Sequence, residues 1–177
     1  TILDTDDQIR LMKQLIRAAG IDDRQLRTLS GVPTGRALIT VDDRGENSII
    51  VVPGANGGPA PDALPHGRVV LAQLETTLAG VTDAFEVAQE SGATTVLNPA
   101  PAVELPGRLI DACDVLVPNE HEVDLLGGRA ALTSRVDHLV VTLGSAGAEH
   151  RFGDRVAHVS PFPVMPIDTT GAGDAFC

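Results

Sequence analysis

Residues 69–102 read VVLAQLETTLAGVTDAFEVAQESGATTVLNPAPA, and this stretch decides the fold class. Val69–Leu74 is a short apolar run with strand character, Leu78–Gln89 carries a helical pattern, and Thr94–Leu97 is a second short apolar run. The alternation continues after a proline-rich turn: a short helix near 107–112, a strand over Asp114–Val117, helices near 119–126 and 128–135, and a strand over His138–Thr142. Short apolar strands separated by helices predict a mostly parallel sheet covered on both faces, the α/β class. Working outward, Ile9, Met12, Ile16 and Ala19 recur at helical spacing ahead of Gly20, which predicts a helix over about 6–19 with a glycine stop. Thr34–Val41 and Ser48–Val52 flank a polar turn and read as a hairpin, and a glycine-, proline- and alanine-bearing loop covers 54–67. Glu149–Arg151 and Val156–Val159, around Gly153-Asp154, read as a second hairpin, and Val159–Ile167 as an apolar extended segment.

A chain of 177 residues, 43% of them apolar, suffices for one α/β domain with a core. No apolar run is long enough to span a membrane and no leader pattern opens the chain, so the expectation is a cytoplasmic protein without membrane partners. A net charge of −11 argues against a nucleic-acid partner, whose binding needs a basic face, so none is expected. Cys113 and Cys177 form neither metal-type spacing nor a disulfide framework, and a reducing compartment fits. Lys13 is the only lysine, which excludes a Gly-x-x-x-x-Gly-Lys phosphate loop and a protein-kinase strand lysine. Any phosphate handling must therefore use backbone N–H groups, arginines or a metal ion. His121-Glu122 lacks a second histidine four residues on, and no Gly-x-Ser-x-Gly elbow occurs.

In doubly wound sheets ligands bind beyond the carboxyl ends of the strands. Glu75, Asn98, Asn119 and Gly144 follow successive predicted strands and so fall at one cleft, although each alone could be a cap or turn residue. Asn119 and Glu122 fit a capping box at a helix start. The chain closes on Asp168-Thr169-Thr170-Gly171-Ala172-Gly173-Asp174-Ala175-Phe176. Gly171 and Gly173 let backbone N–H groups of Gly171, Ala172 and Gly173 converge, and a helix beginning near Asp174 adds its positive end. Such an anion hole holds a phosphate without a lysine, and Asp174 at its rim is placed to accept a hydroxyl proton.

This nine-residue stretch resembles the second signature of the ribokinase-like (PfkB) carbohydrate kinases, Asp-Thr-x-Gly-Ala-Gly-Asp-x-Phe, without departure. Asn119 and Glu122 are similar to the family's Asn-x-x-Glu motif. Thr142-Leu143-Gly144-Ser145-Ala146-Gly147 is similar to its nucleotide-contacting Thr-Leu-Gly-x-x-Gly loop. Asn98-Pro99-Ala100-Pro101, Gln73-Leu74-Glu75 and Gly54-Ala55-Asn56 resemble segments of the ribokinase branch, in the same order.

The resemblance implies a three-layer α/β/α sandwich with a small β-sheet lid, the lid hairpin at about 34–53 and the core at about 68–177. It implies an ATP-dependent kinase, with D-ribose phosphorylated at O5 as the leading expectation and another family kinase, for fructose or a nucleoside, as the alternative. Asp174 is then the base, Gly171 to Gly173 the anion hole, and Asn119 with 142–147, Gly173 and Asp174 the ATP-binding set. Glu75 and Asp174 contact the sugar, Glu122 holds Mg²⁺ indirectly, and Asp168 and Thr170 hold an activating K⁺. Homodimerisation through the lid is implied as well. The family's Gly-Gly-x-x-x-Asn sugar motif and its adenine-enclosing segments have no counterpart among the 177 residues, so a partial domain is expected, and a fragment inactive alone is the non-catalytic alternative.

Overall fold

A computed structural model describes residues 5–24, 26–42, 47–58, 67–164 and 172–177, the side chains of 5–9, 11, 47 and 174 excepted. Helix α1 spans Thr5–Ala18. Gly20 then turns left-handed (φ 73°), and the Ile21 N–H donates to Ile16 O at 3.1 Å, so the predicted glycine stop is a helix-closing motif. Strands β1 (Arg36–Val41) and β2 (Asn47–Val52) pair antiparallel, from Arg36 opposite Val52 to Val41 opposite Asn47. This is the predicted hairpin, the one the family resemblance implies to be a lid, and its apolar Leu38, Ile39, Ile49 and Ile50 are exposed on both faces.

The rest builds a six-stranded sheet. Its elements are β3 (Val69–Ala72), α2 (Leu78–Glu90), β4 (Thr94–Leu97), α3 (Gly107–Asp111), β5 (Val115–Leu116), α4 (Glu120–Leu125), α5 (Arg129–Thr133), β6 (His138–Thr142), β7 (Ala148–Phe152) and β8 (Arg155–Val159). The spatial order is β3-β4-β5-β6-β7-β8. The first three pairings are parallel and the last two antiparallel, which bears out the α/β class. A short helix, α6 (Ala172–Phe176), closes the chain. Residues 160–164 have no regular secondary structure, so the extended segment expected after β8 is not a strand there, and 165–167 lie outside the described residues.

Among the described residues the core is one-sided. Strands β3 to β6 are added in a single direction, and right-handed crossovers then carry every connecting helix to the same face. Leu97, Leu116, Leu139 and Val141 from that face form one cluster with Val81 and Phe85 of α2, Leu109 and Ile110 of α3, Val123 of α4 and Leu132 of α5. Residues of the opposite parity stay open: Val69 is 59% exposed and Leu71 51%. The expectation of helices on both faces is therefore met on one face by the described residues.

Polar bonds lock the strand starts. Thr95, fully buried, donates its backbone N–H to Asp114 Oδ2 (2.8 Å), and its hydroxyl donates to Ala112 O at 2.7 Å. Burying these groups unpaired would be costly, so the pairing fixes β4 against β5 and holds the opposite strand ends in place.

Candidate active site

The carboxyl ends of β3 to β6 are stitched together laterally by main-chain bonds. Leu74 N–H donates to Ala100 O at 2.9 Å and Asn98 N–H to Ala72 O at 3.0 Å. Val117 N–H donates to Leu97 O at 2.8 Å and Thr142 N–H to Pro118 O at 3.0 Å. Asn119 and Thr142 form a further parallel bridge. The ladder thus continues past the strands and brings Glu75, Asn98, Asn119 and Gly144 to one edge. Strand β3 ends two residues earlier than predicted because Leu74 turns its N–H to the Asn98–Pro101 loop.

Asn119 caps α4. Its Oδ1 accepts the Glu122 N–H and Glu122 Oε2 accepts the Asn119 N–H, both at 2.8 Å. Glu122 is only 8% exposed, so the capping box fixes this carboxylate firmly at the helix start. The other carboxyl oxygen is not engaged by the box.

Beyond β6 the chain makes a 3-10 turn over Gly144–Ala146. Leu143 N–H donates to Gly147 O at 2.8 Å, closing a tight loop whose Gly144, Ser145 and Ala146 are exposed. Gly147 has φ 95°, and a Cβ there would lie 2.0 Å from Val159 O. Only glycine fits where the exit of β8 crosses the loop. Thr142 to Gly147 thus form a built loop at the same edge.

Of the closing motif, Ala172, Gly173 and the backbone of Asp174 lie in α6, while Asp168, Thr170 and Gly171 lie outside the described residues. A Cβ on Gly173 would lie 4.0 Å from Asn98 Nδ2. The start of α6 therefore meets the carboxyl end of β4, some 75 residues earlier in the chain. Asn98 carried no assigned role from sequence; its polar identity on a 5% exposed position right after a strand was the available signal.

Two cavities are described. One of about 260 Å³ is lined by Asn56, Gln73, Glu75 and Thr76, where the lid base meets the end of β3. Glu75 thus lies where the sequence placed it, while Asn56, Gln73 and Thr76 had been given no role. The larger, about 650 Å³, opens at the strand starts among Thr94, Asp114, His138 and His150. No motif residue lines it; it belongs to the open sheet face, where His138 stacks on Phe152 and lies 2.9 Å from His150 through Nδ1 and Nε2. The residues singled out from the sequence therefore gather at the smaller cavity and the strand-end edge. There the chain presents the Glu75 carboxylate, the buried Glu122 carboxylate, a glycine loop and the start of α6.

Known proteins resemble the chain in sequence and in fold. The chain is 35% identical to a ribokinase of Staphylococcus aureus (strain COL) over 196 residues, covering 99% of the chain and 64% of that protein. It is 35% identical to a deoxyribokinase of Salmonella typhi over 178 residues, covering 89% of the chain and 58% of the relative. Among solved structures, an Arabidopsis thaliana ribokinase complexed with ribose and ATP superposes with a TM-score of 0.78 at 26% identity, covering 93% of this chain and 62% of that one. The chain thus spans about three-fifths of the length of these proteins. A family model described as pfkB family carbohydrate kinase matches residues 5–177, which takes in the lid hairpin, the strand-end edge and the closing motif together. The chain belongs to the pfkB family of carbohydrate kinases.

Proposed function

We propose that this chain carries the central part of an ATP-dependent sugar kinase that phosphorylates D-ribose at O5. The observation that carries the reading is the approach of Gly173 to Asn98, which joins the closing motif to the strand ends bearing Glu75, Asn119 and the 142–147 loop. The Arabidopsis neighbour, bound to ribose and ATP, supports the substrate pair.

In this reading Glu75 accepts hydrogen bonds from sugar hydroxyls in the lid-base cavity. Asp174 accepts the proton of the terminal hydroxyl as its oxygen attacks the γ-phosphorus of ATP. The P–O bond to the β-phosphate oxygen breaks, and ADP leaves. A carboxylate is a weak base for a free alcohol, but the alcohol acidifies as the new bond forms. N–H groups of Gly171, Ala172 and Gly173 stabilise charge on the transferring group, and the 142–147 loop and Asn119 hold the nucleotide. Positioning and electrostatics carry most of the catalysis in phosphoryl transfer.

Among the described residues no group of three His, Cys, Asp or Glu side chains could hold a metal ion. Glu122, with one oxygen committed to its capping box, fits Mg²⁺ through a water molecule better than as a direct ligand. Mg²⁺, bound with ATP, neutralises polyphosphate charge. Asp168 and Thr170 are the proposed K⁺ positions. The exposed apolar lid hairpin is the proposed contact of a homodimer, and the cytoplasm the proposed compartment.

The deoxyribokinase relative, at 35% identity, supports deoxyribose as a second substrate reading. An ATP-dependent phosphorylation assay across ribose, deoxyribose, fructose and adenosine, with and without K⁺, tests these readings. Ribose with the highest kcat/KM supports the proposal; preference for deoxyribose, fructose or adenosine replaces the substrate, and turnover of none favours the alternative of a fragment inactive alone.

A further inference from the structure

The lid base and the Glu75 loop meet at one residue. Asn56 lies in the 3-10 turn Gly54–Gly57 that follows β2. Its N–H donates to Pro53 O at 2.9 Å, which ties it to the strand leaving the lid. Its carbonyl accepts the Thr76 hydroxyl at 3.2 Å, one residue beyond Glu75. On its third side is Gly35, just ahead of β1: a Cβ there would lie 2.8 Å from Asn56 Nδ2 and 2.8 Å from Pro53 O. Gly54 closes the junction, because at φ 50° its own Cβ would meet Pro33 O at 2.4 Å. Both strands of the lid therefore enter and leave through backbone packed too tightly for any side chain but hydrogen. Asn56 also lines the 260 Å³ cavity with Gln73, Glu75 and Thr76.

We propose that Asn56 is a substrate-positioning residue of the sugar site: it sets the lid base against the Glu75 loop and presents its amide to a hydroxyl-rich ligand. Resting on the sugar-kinase reading above, this assigns the lid-base cavity a second polar group beside Glu75. A carboxylate can only accept hydrogen bonds, whereas a sugar hydroxyl both donates and accepts. An amide supplies the donor that Glu75 lacks. Because the amide shares its position with the Gly35 contact and the Thr76 bond, a shift of the lid moves the amide, and filling the cavity resists that shift.

The test is calorimetric titration of the protein with ribose alone, together with KM values for ribose and for ATP, on the wild type, Asn56→Ala, Thr76→Val and Thr76→Ser. The loss of one net hydrogen bond weakens ribose binding about three- to tenfold in Asn56→Ala. The expected pattern is that rise in ribose Kd and KM with the ATP KM within about twofold, a smaller rise in Thr76→Val, and wild-type values in Thr76→Ser, which keeps the hydroxyl. Equal ribose affinity in wild type and Asn56→Ala overturns the proposal and leaves the sugar-kinase reading standing. Parallel losses for ribose and ATP with a lowered Tm overturn it too, since they mark a merely structural residue. A wild type that binds no sugar overturns the proposal for this chain and favours the inactive-fragment alternative.

Discussion

The capping box at Asn119 allows the two roles proposed for the Glu122 carboxylate, capping and Mg²⁺ support, to be separated. Glu122 Oε2 accepts the Asn119 N–H at 2.8 Å, and this acceptor survives in Glu122→Gln because a glutamine can complete the same box. What the substitution removes is the charge. Its loss at the helix start costs about 0.3–1 kcal/mol, or roughly 1–4 °C in a chain of this size. Asn119→Ala instead removes the acceptor of the Glu122 N–H, also 2.8 Å long, and costs about 1 kcal/mol. Catalysis responds in a different proportion. A carboxylate acting on a hydrated divalent ion at roughly 5 Å contributes about 3 kcal/mol per unit charge at an effective dielectric of 20. Half of that is already about tenfold in rate or in Mg²⁺ requirement. Glu122→Gln should melt within about 4 °C of wild type while its kcat at fixed Mg²⁺ falls about tenfold or its half-saturating Mg²⁺ rises about tenfold. Thermal melts and initial rates over a Mg²⁺ series read both numbers. Wild-type Mg²⁺ dependence in Glu122→Gln would confine the residue to capping and refute the assignment.

Other outcomes follow from the same geometry. Gly147→Ala forces a Cβ within 2.0 Å of Val159 O and should lower stability by about 2 kcal/mol or more and raise the ATP KM, whereas Gly153→Ala, also at positive φ but facing open space, should cost only about 1 kcal/mol and leave the ATP KM unchanged; thermal melts and ATP titrations compare them. Burial pushes the Cys113 thiol up to about 12 while Cys177 is exposed, so a thiol reagent at pH 8 should titrate Cys177 in the native protein and reach Cys113 only in denaturant. The Arg151 guanidinium, 2.7 Å from Glu149, holds that carboxyl below its ordinary value of 4.5. A lowered folded-state value contributes stability that is fully present above pH 4.5 and is lost as pH falls through that lowered value, so Glu149→Gln should be about 0.2–1 kcal/mol less stable at pH 7, with the gap to wild type narrowing as pH falls below 4.5 in denaturant titrations.

Strand and helix identities were legible where burial alternates within a short span. His138–Thr142 shows strict alternation of half-buried and buried residues, and the predicted and observed bounds coincide. Leu78–Glu90 differs by one residue, since Thr77 caps it and Gly92, left-handed at φ 73°, ends it. The one-sided core was not legible. Leu71, Val96 and Val140 are as apolar as their neighbours, so local pattern cannot tell a covered face from an open one; that depends on strand order, a long-range property. The motif residues announced the strand-end edge, but not that Asn98 would meet Gly173. The Asn56–Thr76 bond joins a turn to a strand exit across 20 residues, and no periodicity encodes it.

The most direct test of the account lies in Asp174, the predicted base of the closing motif. Turnover of ATP and ribose should be measured for Asp174→Asn beside wild type, with nucleotide affinity read separately by calorimetry. Nucleotide affinity within about threefold of wild type and turnover reduced by at least about a thousandfold is the result expected of a lost base. Near-normal turnover in Asp174→Asn would contradict the account.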